Sequence, residues 1–148
     1  MIALACDHGG FEFIGDVKSH LDSMGYDYTF YGTYSAESCD YPEFAVRAAR
    51  AVASGECERG ILICGTGIGM SIAANKIPGI RAAVCFDLFT AEMARSHNDA
   101  NVLTLGARVI DVSLALEIIS KFLSTGFDGS GRHARRVGLI NELDDQRS

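Results

Sequence analysis

Gly60-Ile61-Leu62-Ile63-Cys64-Gly65-Thr66-Gly67-Ile68-Gly69-Met70 is the stretch on which the fold turns. Its first half is a short, continuously apolar run, as a strand buried on both faces requires. Its second half places three glycines in five residues, which lets the backbone turn tightly and approach a ligand closely. The helical pattern starting near Met70 and ended by Pro78-Gly79 aims its free N–H groups at the same place. That combination makes an anion hole, suited to a phosphate or a developing oxyanion. An ordinary tight strand-to-helix turn is the plainer account of the same residues.

Similar units lie on both sides. Upstream, Ile2–Asp7 reads as a buried strand closed by Gly9-Gly10. Phe11–Met24 carries apolar residues at Phe13, Val17, Leu21 and Met24, the spacing of an amphipathic helix, with Gly25 as its stop. Tyr26–Tyr31 is strand-like. Asp40-Tyr41-Pro42 opens a helix running to about Ser54, with Asp40 as N-cap and proline in the first turn. Downstream come a strand over Ile80–Phe86, a helix over Thr90–His97, a strand over Val102–Gly106 and helices over Val112–Ser124 and Arg132 to about Leu143. The order β-α-β-α-β-α-β-α-β-α-α, with near-continuously apolar strands, predicts a parallel sheet covered on both faces.

The 148 residues fit one domain spanning positions 1–148, and 48% hydrophobic with 22% charged residues is ordinary for a globular chain. A net charge of −6 speaks against a general nucleic-acid binder. No apolar run approaches the roughly 20 residues of a membrane helix, and the N-terminus has no signal-peptide pattern. The five cysteines, Cys6, Cys39, Cys57, Cys64 and Cys85, include no CxxC pair. Dispersed thiols of this kind suit a reducing, cytoplasmic setting.

Ligands of such sheets bind beyond the carboxyl ends of the strands. Asp7-His8 and Cys64–Gly69 follow strands there. His97-Asn98-Asp99 precedes the fifth strand and Arg108 follows it. Cys6 and Cys85 read as small buried hydrophobes. Cys64 differs, because nearby helical N–H groups favour its thiolate, which can act as nucleophile or base. His97 alone would be a helix C-cap, whereas an Asp-His pair at a strand edge is an awkward structural feature. Arg132, Arg135 and Arg136 put three of the 13 basic residues within five positions. Arg132 and Arg136 share a helix face and are suited to phosphate, although a solvated basic patch accounts for them equally.

Two functions compete on these residues. A dinucleotide-binding module would use Gly65-x-Gly67, with Asp87 about 20 residues on. Against it, the sixth motif position is Met70, and the loop follows the third strand rather than the first. An NADH titration discriminates. An acid–base enzyme acting on a small phosphorylated molecule uses thiol, anion hole, histidines and arginines together.

Assembled, the residues resemble the type B ribose-5-phosphate isomerases of the ribose/galactose sugar-phosphate isomerase family. The matching stretches are Cys6-Asp7-His8-Gly9-Gly10-Phe11, Asp40-Tyr41-Pro42, Ile63–Gly69, Ala73–Lys76, Gly79–Ala82, His97–Asn101, Gly106–Val109 and Gly131-Arg132-His133, in family order along nearly the whole chain. The resemblance implies a three-layer α/β/α sandwich with a Rossmann-like five-stranded parallel sheet. It implies aldose–ketose isomerisation of a phosphorylated sugar, no cofactor and no metal. It also implies a homodimer or dimer of dimers with shared sites, the C-terminal helix at about 132–143 packing on a partner.

Family members use cysteine or glutamate as base. Met70 stands where the glutamate branch carries its acid, so Cys64 takes that role. By the same resemblance His97, with Thr66 or Asp7, moves the protons of ring opening. Gly65, Gly67, Ile68 and Gly69 hold the enediolate. His8, Arg108, Arg132 and Arg136 bind phosphate, and Tyr41 and Asn98 contact hydroxyls. Ribose 5-phosphate is the expected substrate, with allose or galactose 6-phosphate as the alternative. The chain departs from the family pattern at Ser130, at Ile14 and in the bulky Phe86-Asp87-Leu88-Phe89 segment.

Overall fold

The computed structural model describes residues 1–147. Five parallel strands, β1 (Ile2–Cys6), β2 (Tyr28–Phe30), β3 (Arg59–Cys64), β4 (Ala82–Val84) and β5 (Val102–Gly106), form one sheet in the order β2-β1-β3-β5-β4. The helices are α1 (Ile14–Ser23), α2 (Tyr41–Ala53), α3 (Ile68–Ala74), α4 (Leu88–Ser96), α5 (Val112–Ser124) and α6 (Gly131–Glu142). Single 3-10 turns precede α1 and follow α6. The expected doubly covered parallel sheet is what forms.

The strand order follows from burial. β1 and β5 are buried at every position and β3 at all but its first, so they hold the centre. β2 and β4 have three residues each, all half-buried, and take the edges. Short edge strands limit unwanted pairing with other chains. This is why the strands expected over Tyr26–Tyr31 and Ile80–Phe86 are shorter than their apolar patterns suggest.

Alternate strand residues feed two cores. Ile2, Leu4, Ile61, Ile63, Leu103 and Leu105 face α1, α4 and α5, where Val17, Leu21, Ala91, Ile118, Ile119 and Phe122 are buried. Ala3, Ala5, Leu62 and Cys64 face α2 and α3. The α2 contribution is chiefly Ala45, Ala48, Ala49 and Ala51. Small side chains on both surfaces bring that helix close to the sheet.

Several local expectations are corrected. Residues Phe11–Phe13 form a 3-10 turn rather than the first turn of α1, started by the Phe13 N–H donating to the Gly10 carbonyl (3.1 Å). Asp40 is the N-cap position of α2, but its side chain makes no capping hydrogen bond. Helix α4 starts earlier than expected because Asp87 caps it, its carboxylate accepting from the Thr90 N–H and hydroxyl, both at 2.7 Å. Those bonds hold the Asp87 carboxyl below the usual carboxylate range. A carboxylate engaged as a cap is not free to receive a ribose, which weakens the dinucleotide reading.

Gly10 marks where the first loop crosses β3. A Cβ there would stand 2.3 Å from the Ile63 carbonyl oxygen and 2.6 Å from its carbon. Gly10→Ala must therefore displace backbone, at about 1–3 kcal/mol of stability. For a chain this size that lowers Tm by roughly 3–10 °C. A melting curve superimposing on that of the unmodified chain would refute the close approach.

Candidate active site

In the order β2-β1-β3-β5-β4 the chain leaves β1 and β3 toward opposite sides, so the loops after these strands diverge at a topological switch point. The two loops touch there: a Cβ on Gly9 would lie 2.9 Å from the Gly65 nitrogen.

The first loop is folded by Asp7. This buried carboxylate accepts from the N–H groups of Gly9 (2.8 Å) and Gly10 (3.1 Å), and the Asp7 N–H donates to the Ile63 carbonyl (3.2 Å). Next to it, His8 Nδ1 accepts from the Cys39 N–H at 3.2 Å. In the neutral ring the proton is then on Nε2, making that nitrogen a donor.

The second loop is built around Cys64, which is 4% exposed. Its sulfur accepts a hydrogen bond from the Gly67 N–H at 3.1 Å. Gly67 is the N-cap position of α3, with φ +81°, a left-handed conformation suited to glycine. Thr104 ties the loop down by donating its hydroxyl hydrogen to the Gly67 carbonyl (2.8 Å). Thr66 Oγ1 accepts from the Ile68 N–H (3.2 Å).

Arg108 donates its N–H to the Gly65 carbonyl (3.0 Å), and its guanidinium lies over Gly65. The Tyr41 ring lies against Gly69, so close that a Cβ there would meet the ring at 2.5 Å. Asp7, His8, Tyr41, Cys64, Gly65, Thr66, Ile68, Gly69 and Arg108 thus line one cavity of about 480 Å³. An adjoining cavity of about 310 Å³ shares His8, Gly9 and Arg108 and continues toward Phe11, Glu12 and Ala36.

Cys6 and Cys85 are different thiols. Burial, then the nearby Asp7 charge, pushes Cys6 up to about 12. Burial pushes Cys85 up to about 11. Both are inert near neutrality, as expected for small hydrophobes.

The remaining candidates stand elsewhere. His97 is the C-cap of α4, its N–H donating to the Met93 carbonyl (2.9 Å). Its ring stacks on His133, with centroids 4.1 Å apart and planes inclined by 12°. Loss of solvent, then the charges of His97 and Arg132, pushes His133 below the ordinary histidine value. Asn98 lines a separate cavity of about 380 Å³, with Arg81, Ala82, Ile140 and Asn141. Arg132 and Arg136 are exposed on α6, whose only buried residue is Val137. Within one chain, therefore, His97, Asn98, Arg132 and Arg136 do not line the Cys64 cavity.

Two contacts beside these candidate residues are not legible in the sequence pattern. His133 was visible only as a neighbour of Arg132; its stacking on His97 depends on how α6 folds back. The Cys39 N–H acts through the backbone, which no side-chain pattern reveals.

A doubly wound sheet carries a thiol, a glycine-rich loop leading into a helix, and the basic side chains of His8 and Arg108 at its switch point, the equipment of an acid–base enzyme for a small anionic substrate. The chain belongs to the ribose/galactose isomerase family, whose model matches residues 2–140. It is similar to ribose-5-phosphate isomerase B of Escherichia coli (strain K12), with 46% identity over 147 residues, 99% of this chain and 98% of that one. It is also similar to the structure of the Clostridium thermocellum ribose-5-phosphate isomerase B, with a TM-score of 0.96, 51% identity and 99% of each chain covered. A further relative is D-erythrulose-4-phosphate isomerase of Pectobacterium atrosepticum, 44% identical over 131 residues, 88% of this chain and 86% of that one. Among the described residues, no helix is long and apolar enough to cross a membrane.

Proposed function

We propose that this enzyme interconverts ribose 5-phosphate and ribulose 5-phosphate through a cis-enediolate, with Cys64 as base. The observation that carries the reading is the Gly67 N–H bond to the Cys64 sulfur, beside a cavity that also exposes His8 and Arg108. His97, with Thr66 or Asp7, moves the protons that open the sugar ring. The Cys64 thiolate takes the proton from C2, and the electron pair left behind becomes the enediolate. Backbone N–H groups of Gly65–Gly69 face the oxygen on which charge develops. The O2 hydroxyl proton passes to O1, and return of the carbon proton to C1 then gives the ketose with its carbonyl at C2 and restores the thiolate. His8 Nε2 and Arg108 grip the phosphate from the same chain.

Arg132 and Arg136 complete that grip from a second subunit, which also contributes His97 and Asn98. In support, these four residues lie outside the Cys64 cavity of their own chain. Helix α6 and the turn after it also leave Leu139, Ile140 and Leu143 exposed by 55%, 45% and 55%, an apolar face that a partner would cover.

The substrate is tested by a coupled assay on four-, five- and six-carbon phosphorylated sugars. Ribose 5-phosphate should give the highest kcat/KM. If it is inert while a hexose 6-phosphate or a tetrulose phosphate turns over, the substrate assignment fails.

A further inference from the structure

The half-site formed by His97, Asn98, Arg132 and Arg136 draws on two separate elements, the end of α4 and the helix α6. Asp99, directly after Asn98, is the only non-glycine residue with positive φ (+47°) among those described. Such a conformation is strained and persists only where the surroundings over-determine it. Two arginines do so. Arg95, buried at the end of α4, donates from Nη1 to Asp99 Oδ1 (2.8 Å) and to the Ala100 carbonyl (2.7 Å). Arg81 donates from Nε to the Asp99 carbonyl (2.9 Å), and its Nη2 lies 3.4 Å from Asp99 Oδ2.

Arg81 does more. Its Nη1 donates to Asn141 Oδ1 on α6 at 3.1 Å. One planar guanidinium therefore holds both the strained residue beside Asn98 and the helix that carries Arg132 and Arg136. The His97–His133 ring stack also joins the two elements; the remaining polar ties serve only the turn after α6. Asp144 accepts from the Gly79 N–H (2.7 Å), and Arg147 donates to the carbonyls of Lys76 and Asn75. None of these touches the His97–Asp99 segment.

We infer that Arg81 is a positioning residue for the isomerase: bridging Asp99 and Asn141, it sets the phosphate-binding arginines of α6 in register with His97 and Asn98. The inference rests on the proposed function, because register matters only if both elements meet one substrate. A fork with fixed geometry is required, since a lysine at position 81 has one donor head and cannot span both partners.

The test separates the two arms of the bridge. Asn141 is exposed, so Asn141→Ala leaves the core intact and releases only α6. Its KM for ribose 5-phosphate should rise about fivefold with kcat within about twofold, the scale of a modest coupling between elements. Asn141→Asp keeps the accepting oxygen and should restore KM. Arg81→Lys releases both arms and should also lower kcat about tenfold, because misplacement of acid–base groups penalises the chemical step. Thermal melting and light scattering are measured on each variant.

An Asn141→Ala protein with KM and kcat both unchanged would overturn the inference. So would a kcat that falls at constant KM in step with loss of folded protein, the mark of a merely structural residue. A wild-type protein inert on every phosphorylated sugar would instead fail the isomerase reading and take the inference with it.

Discussion

Cys64→Ala is expected to remove isomerisation, lowering kcat by about 10³-fold, within the range that positioned acid–base groups contribute. Cys6 and Cys85 cannot substitute, since burial holds them far above neutrality, at about 12 and about 11. Sugar-phosphate binding should survive, because His8, Arg108 and the loop glycines remain. The Gly67 N–H loses its acceptor, so about 1–3 kcal/mol of stability should go as well. Calorimetric titration with ribose 5-phosphate, a melting curve and the coupled assay together distinguish loss of base from loss of fold. A folded variant that keeps near wild-type turnover refutes Cys64 as base.

His97→Ala is expected to be nearly inactive too, and the largest effect comes from mixing it with Cys64→Ala. If each site draws Cys64 from one subunit and His97 from the other, a heterodimer contains one site with neither substitution. Random re-association makes half of the dimers mixed, so activity should return to roughly a quarter of wild type, as two-fold symmetry dictates. The mixture is refolded together from denaturant and assayed at equal total protein. If activity stays at the level of the separate variants, while light scattering shows that mixed dimers form, the site is contained in one chain.

Much of the fold was legible in the residues. The strands at the sheet centre are apolar at nearly every position because both faces are covered, and the helices show a repeat of three and four because only one face is. Asp87 and Asp40 show the limit of such reading. Both precede helices and both are good capping residues, yet only Asp87 is used. Capping depends on backbone angles set by the preceding loop, not on residue type alone. The edge strands were over-read for a related reason. A run of seven residues at Ile80–Phe86, apolar but for Arg81, needs a neighbour along its length to become a strand, and β4 pairs with β5 through only three residues.

The candidate site was legible as a set of residues and not as an arrangement. By itself the sequence determined the α/β class, the glycine loop after Cys64 and the chemical types available at strand ends. These follow from local properties: hydrophobic periodicity, the tolerance of glycine for close approach and the bonding capacity of each side chain. Only the tertiary structure decided the rest. It set β5 between β3 and β4, since either order satisfies the same apolar pattern. It separated His97, Asn98, Arg132 and Arg136 from the Cys64 cavity. It also joined Arg81 to Asp99 and Asn141, which lie 18 and 60 residues further along the chain. Contacts over such separations depend on how sheet and helices pack, and no local pattern encodes them.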